Sequence, residues 1–214
     1  MMSGKHLVLG STGLVGSRLI YHLSKNNLET IALTRRKIEN LPYNISELII
    51  DFDLSLKKNS FPMCEHLYIC MGTTIKTAGS KEGFKKVDLD YCVDIAQRAK
   101  KNGVTQISIV SSIGANDASK NFYLKIKGML IKKILIMGFH TVNIYLPGLL
   151  IGKRNEKRFL ESIGQKISPI INLLLVGKMK KYRSIKADFI AAHMIKSKMK
   201  GVNYFYYEDF INER

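Results

Sequence analysis

Residues 8–20, VLGSTGLVGSRLI, limit the fold more than any other stretch of this 214-residue chain. Gly10, Gly13 and Gly16 form a G-x-x-G-x-x-G series between the apolar run KHLVLG and a segment of helical periodicity over 14–26. Strand, glycine turn and helix in that order open a βαβ unit that binds a dinucleotide. Gly10 is expected to permit the tight turn off the strand. Gly13 would let the backbone approach a pyrophosphate at the helix N-terminus, and Gly16 would let the helix pack closely on the sheet. Ser11, Thr12, Leu14 and Val15 would line the loop. The competing reading is a tight turn of purely structural origin.

The rest of the chain repeats the alternation. KHLVLG (5–10), TIALT (30–34), ISELII (45–50), HLYICM (66–71), QISIVS (106–111) and TVNIYL (141–146) read as strands. Their nearly continuous Ile, Val and Leu content suits strands covered on both faces. Segments 14–26, 82–102 and 120–138 have helical periodicity, with Ser80 placed to cap the second and Gly103 to end it. Strand–helix–strand alternation implies parallel strands joined by right-handed crossovers, hence an α/β doubly wound, Rossmann-like sheet. One NAD(P)-binding domain over 1–214 is expected. Its basic, irregular stretch 153–186 would form a small lid, and NYFYY (203–207) would return to the sheet as a late strand.

Composition narrows the partners. Hydrophobic residues make up 46% and charged residues 24%, ordinary values for a soluble globular protein. No apolar run approaches the ~18–20 residues that span a bilayer, so no integral membrane segment is expected. The N-terminus lacks the long apolar stretch of a secretory signal. Three cysteines (Cys64, Cys70, Cys92) and five scattered histidines lack metal-ligand spacing, so no metal is expected and a reducing, cytoplasmic setting fits. The formal charge of +17 would attract phosphate-bearing partners. It is spread along the chain, with one local cluster at GKMKKYRSIK (177–186), so nucleic acid is expected only through a non-specific basic surface.

The second strand ends LTRRK. A site for NAD needs a carboxylate about 20 residues past the loop to accept the ribose 2′-hydroxyl. Here stand Thr34, Arg35 and Arg36, with no acid before Glu39. Guanidinium forks bind a 2′-phosphate that a carboxylate would repel, so NADP(H) is the expected cofactor. After the third strand, Asp51 is suited to adenine's exocyclic amine and Phe52 to packing on its ring. After the fourth, Met71, Gly72 and Thr73 follow, and Gly72 would allow close approach to the nicotinamide-side ribose.

Taken in order, GSTGLVG (10–16), TRRK (34–37), CMGTT with KTAGSKEGFKKVDLDY (70–91), VSSIGAN (110–116), NFYLKIKG (121–128) and YLPGLL (145–150) resemble an atypical short-chain dehydrogenase/reductase. More narrowly they are similar to the Tat-interactive-protein oxidoreductase branch. The resemblance implies hydride transfer with a small carbonyl or alcohol, often by a monomer. It assigns Tyr123 as proton donor and acceptor. A free phenol titrates near ~10, and Lys127, one helical turn on, would favour its ionised form. The same lysine would hold the nicotinamide ribose. Ser112, or Ser111, would orient the carbonyl, since only alternate positions face the cleft. Pro147 and Gly148 would lie against the nicotinamide.

Two positions depart from the relatives' pattern: Leu146 stands where Arg is common, and Ile113 where Lys is typical. Both weaken the implied substrate contacts more than the cofactor contacts. The competing function is a dinucleotide-binding regulator or assembly factor with little or no turnover.

Overall fold

The computed structural model describes residues 5–53, 61–152, 175–196 and 199–212. Its strands are β1 His6–Leu9, β2 Thr30–Thr34, β3 Ile45–Ile49, β4 His66–Ile69, β5 Gln106–Val110, β6 Thr141–Tyr145, β7 Leu150–Ile151, β8 Ile185–Lys186 and β9 Gly201–Phe205. Seven of them form one sheet in the order β3-β2-β1-β4-β5-β6-β9, and every pairing in it is parallel. The order reverses between β1 and β4. In a doubly wound sheet that switch point, at the carboxyl ends of the strands, is where ligands bind.

Alternation along each strand explains the two layers. Leu7, Leu9, Leu67, Ile69, Ile107, Ile109, Val142 and Ile144 pack one face against α4 (Tyr91–Lys101) and α5 (Phe122–Leu135). Val8, Ala32, Tyr68, Val110 and Tyr145 pack the other against α1 (Leu14–Lys25) and α6 (Ala187–Lys196). This second face also carries a row of polar groups that is buried at His66, Ser108 and Asn143 and half-buried at Asn203. His66 Nε2 lies 2.8 Å from Ser108 Oγ, Asn143 donates to the same hydroxyl at 3.4 Å, and Asn203 donates to Asn143 Oδ1 at 3.1 Å.

The helix expected over 82–102 is not uniform. Short helices α2 (Ile75–Ala78) and α3 (Lys81–Lys85) come first, and a π-turn over Lys86–Asp90 separates α3 from α4. Ser80 does cap the start, its Oγ accepting the Gly83 N–H at 2.9 Å. Gly103, at φ +83°, follows the end. The late strand lies two residues earlier than expected. It pairs with β6 from Gly201 to Phe205 and gives way to a last helix, α7 (Tyr207–Ile211), opened where Asp209 accepts the Tyr206 N–H at 2.6 Å. Most of the stretch read as a lid, 153–174, lies outside the described residues. Its described end is a 3₁₀ turn over Gly177–Tyr182, followed by β8 paired in parallel with β7.

Candidate functional site

The glycine turn sits at the carboxyl end of β1, and close approach explains its glycines better than the turn alone. Gly10 has φ +84°, a left-handed conformation that L side chains disfavour. A Cβ there would also lie 2.5 Å from Met71 N, so the turn is pressed against the segment leaving β4. A Cβ on Gly16 would lie 2.2 Å from the Gly10 carbonyl oxygen: α1 packs on the turn itself. Gly13 is the N-cap of α1 and donates to Gly10 O at 3.0 Å. No side chain caps this 12-residue helix and no acid occupies its first turn. Its leading N–H groups, unpaired within the helix, therefore suit an anion. Ser11 Oγ is buried without a protein partner, and Thr12 is exposed.

Leu14 and Val15 open α1. Both side chains are buried in the core below α1, and Leu14 packs so tightly on Gly152 that a Cβ there would lie 2.5 Å from Leu14 Cδ1. Only their main-chain N–H groups can serve a ligand.

At the end of β2 the Thr34 hydroxyl donates to Arg36 O at 2.8 Å and accepts from Arg36 N at 3.2 Å. Thr34 thus shapes the arginine turn from a buried position. Arg35 and Arg36 are exposed. Arg35 lines a cleft of ≈ 360 Å³ together with Ile49, Ile50, Asp51, Phe52, Asp53 and Tyr91, and Arg36 is not part of that wall. Asp51 Oδ1 accepts the Asp53 N–H at 2.8 Å. Asp53 is engaged by Lys86 at 2.8 Å and by the Tyr91 hydroxyl at 2.7 Å. Phe52 is buried, its ring stacked on Tyr91 at 5.0 Å between centroids. The ring face expected to meet a base is thus taken up in part by Tyr91, a residue the sequence reading did not place here.

Beyond β4, Gly72 and Thr73 meet α5. Lys127 is buried, its Nζ 2.7 Å from Asp88 Oδ1. Asp88 is fully buried, and its second oxygen accepts the Thr73 N–H at 2.8 Å. A Cβ on Gly72 would lie 3.2 Å from Asp88 Oδ1 and 3.4 Å from Lys127 Nζ. Burial alone would push the Lys127 ammonium down, but Asp88 and Tyr123 outweigh it and hold the lysine above its ordinary value. Lys127 Nζ stands 6.0 Å from the centroid of the Tyr123 ring, which is 37% exposed and also rests on Phe84 at 5.7 Å. Asp88 escaped the sequence reading. Its signal was an acid at i+4 from Phe84 and i−4 from Cys92, on the apolar stripe of its helix.

The two serines after β5 separate by burial. Ser111 is buried and its Oγ lacks a protein partner, whereas Ser112 is half-buried with its hydroxyl 3.4 Å from Ile113 O. The loop that follows lies on α5, where a Cβ on Gly128 would lie 2.2 Å from the Asn116 carbonyl carbon. Pro147 is buried and its carbonyl accepts the Ile113 N–H at 2.9 Å. A Cβ on Gly148 would lie 2.7 Å from both Tyr182 O and Arg183 O, so the main chain at 182–183 packs directly on it. Leu146 belongs to the core.

Sheet order, glycine turn and uncapped helix together define a doubly wound, Rossmann-type α/β protein. No family model matches the chain. It is 34% identical over 158 residues to "Protein FMP52, mitochondrial" of Debaryomyces hansenii, covering 71% of this chain and 69% of the relative. It is 30% identical over 172 residues to "Protein HTATIP2" of Rattus norvegicus, covering 78% and 71%. Among solved structures, MoeE5 in complex with UDP-glucose and NAD superposes with a TM-score of 0.70 at 12% identity, over 98% of this chain and 80% of that one. The chain belongs to the atypical short-chain dehydrogenase/reductase family, alongside FMP52 and HTATIP2.

The relatives overturn the cytoplasmic expectation, because FMP52 proteins from several yeasts carry "mitochondrial" in their name. That expectation rested on unpaired cysteines and the lack of a secretory signal, which suit a mitochondrial setting equally well. Among the described residues no helix is long and apolar enough to cross a membrane, and no group of three or more His, Cys, Asp or Glu could hold a metal ion.

Proposed function

We propose that this chain is an NADP(H)-dependent oxidoreductase that transfers hydride to or from a small carbonyl or alcohol, in a mitochondrial setting shared with its FMP52 relatives. The observation that carries the cofactor choice is Arg35 on the cleft wall at the end of β2. There the acids beside it are engaged elsewhere: Asp51 with Asp53 N–H, Asp53 with Lys86 and Tyr91. The uncapped first turn of α1 would take the pyrophosphate through main-chain N–H groups. Arg35, with Arg36 on the turn that Thr34 shapes, would grip the 2′-phosphate.

When bound, the nicotinamide supplies hydride at its C4. At that end Tyr123 Oη gives a proton to the carbonyl oxygen in reduction and takes it back in oxidation. Ser112 orients the carbonyl by a hydrogen bond. Lys127 serves both the ribose hydroxyls and the phenol. Pro147 and Gly148 form the wall behind the ring. Neighbours such as MoeE5 are described with NAD rather than NADP, so the arginines decide the preference.

A second reading, a dinucleotide-binding regulator with little turnover, draws support from one observation. The charge of Lys127 is already matched by Asp88, which reduces its pull on the phenol.

Titration with NADPH and NADH tests the first premise. A hydrogen bond to a charged group contributes about 1.5–3 kcal/mol, so NADPH should bind about 10- to 100-fold tighter than NADH. Arg35→Glu should abolish that preference. Equal or tighter binding of NADH by the parent protein would refute it. NADPH oxidation with a panel of aldehydes, ketones and quinones, with Tyr123→Phe as control, then separates the enzyme from the regulator.

A further inference from the structure

Charge is unevenly distributed along the carboxyl edge of the sheet. At the adenine end, the cleft that Arg35 lines and the adjoining cavity of ≈ 590 Å³ are walled by Asp51, Asp53, Glu82, Asp90 and Asp94. The segments around the nicotinamide end are 70–81, 110–116, 120–127, 146–152 and 175–186. They contain no Asp or Glu, against ten Lys or Arg. Two of those cations are spent on the fold. Lys127 is matched by Asp88, and Arg183 holds its own turn, donating to Leu175 O at 2.8 Å and lying 6.0 Å from the Tyr207 ring. Lys76, Lys180 and Lys181 form no ion pair among the described residues.

The 3₁₀ turn that carries Lys180 and Lys181 is fixed to the wall beside Ser112. Pro147 O accepts the Ile113 N–H at 2.9 Å, Gly148 packs on the Tyr182 and Arg183 carbonyls, and Leu149 O accepts the Ile185 N–H at 2.8 Å. Residues three apart share a face of a 3₁₀ helix. Val176, Met179 and Tyr182 are spaced in that way, and all three are exposed, as is Leu149. An apolar row therefore runs beside the two lysines. Such a surface suits a ligand with an apolar body and a negative charge, and a site lined by one sign of charge concentrates ligands of the other.

We infer that the carbonyl substrate carries an anionic group on an apolar body, and that Lys180 and Lys181 select it. The inference rests on the oxidoreductase reading above. Reduction adds hydride to the carbonyl carbon and the Tyr123 proton to its oxygen, with NADPH oxidised to NADP⁺ and the phenol reprotonated from solvent. The anionic group is left unchanged.

A matched pair of ketones tests the inference: 3-benzoylpropionate and its methyl ester, which share a carbonyl and differ in charge. NADPH oxidation should give the acid a kcat/KM about tenfold or more above that of the ester. In Lys180→Glu/Lys181→Glu that ratio should fall about tenfold or more. Raising NaCl from about 0.05 to about 0.5 M should lower it in the parent protein. Lys101→Glu, in the last turn of α4, controls for net charge and should leave the ratio as it is. Binding of both compounds is followed by ligand-observed NMR on the full chain, with and without NADP⁺, and needs no turnover.

Equal handling of acid and ester by the parent protein overturns the inference. So does an equal fall of the ratio in Lys101→Glu, or NMR that detects neither compound bound. If the double variant does not fold, a ratio insensitive to salt in the parent protein overturns it. Should neither ketone be reduced, the enzyme reading fails, while preferential binding of the acid, lost in the double variant, still upholds the role of the two lysines.

Discussion

Acidification should act on this fold through His66, at the N-terminal end of β4. Its ring is buried, stacked 3.9 Å from Tyr68 and within 6.1 Å of His6, and its Nε2 meets the Ser108 hydroxyl at 2.8 Å. Burial, with His6 adding to it, lowers its pKa from 6.5 to about 3. Above pH 6.5 the ring is neutral whether the chain is folded or not, and it contributes no pH dependence. Below that value the unfolded chain takes up a proton that the folded one refuses, so stability falls with pH until about pH 3 and then levels. Each pH unit well inside that window costs about 1.4 kcal/mol, which amounts to about 2 kcal/mol at pH 5 and about 5 kcal/mol in all.

The assay is urea unfolding at pH 7 and pH 5 for the parent protein and for His66→Gln, whose amide can still meet the Ser108 hydroxyl. Glutamine will lower stability at pH 7 by giving up the stacking on Tyr68. Its loss between pH 7 and pH 5 should nevertheless be about 2 kcal/mol smaller than the parent's. His6, also held below its ordinary value by burial, leaves a residual slope in both proteins. An identical drop in the two proteins would refute the reasoning and move the acid sensitivity to other groups.

Two structural predictions follow from single contacts. Gly16→Ala would force a methyl to within 2.2 Å of the Gly10 carbonyl oxygen. Overpacking of this kind costs about 1–3 kcal/mol, and a thermal melt should show the loss together with weaker dinucleotide binding. Asn121 caps α5 by accepting the Leu124 N–H at 3.2 Å. Asn121→Ala should cost about 1 kcal/mol in urea unfolding, and an unchanged midpoint would mean the first turn carrying Tyr123 is held by packing alone.

What was legible in the sequence depended on local rules. Strands β1, β2, β4, β5 and β6 appear where continuous apolar runs placed them, because strands covered on both faces need no polar alternation, while β3 appears where expected as an edge strand with Leu48 and Ile49 exposed. The glycine series was legible because φ, turn and close approach leave few other residues possible at Gly10 and Gly16. The register of β9 was not. Aromatic residues run through Tyr207, yet the strand is set by pairing Gly201 with Thr141 and is cut off where Asp209 caps the next helix. The burial of the Leu14 and Val15 side chains was not legible either. A residue beside a phosphate loop can offer its N–H to a ligand while its side chain points into the core, and a list of loop positions does not separate the two.

The π-turn is where local periodicity failed most consequentially. Apolar residues at three- and four-residue steps run unbroken from Phe84 to Ala99 and read as one helix. On such a stripe Asp88 looks out of place, and its partner lies 39 positions away on α5. The chain carries 34 basic and 17 acidic residues. Among the described residues, Asp88 and Lys127 are the Asp, Glu, Lys or Arg side chains that are buried, and they are bonded to each other. An ion pair of this kind is a poor source of stability, since apolar residues of similar volume often do as well or better. At the carboxyl edge of the sheet the pair ties α5 to the π-turn, and through the Thr73 N–H to the turn that follows β4.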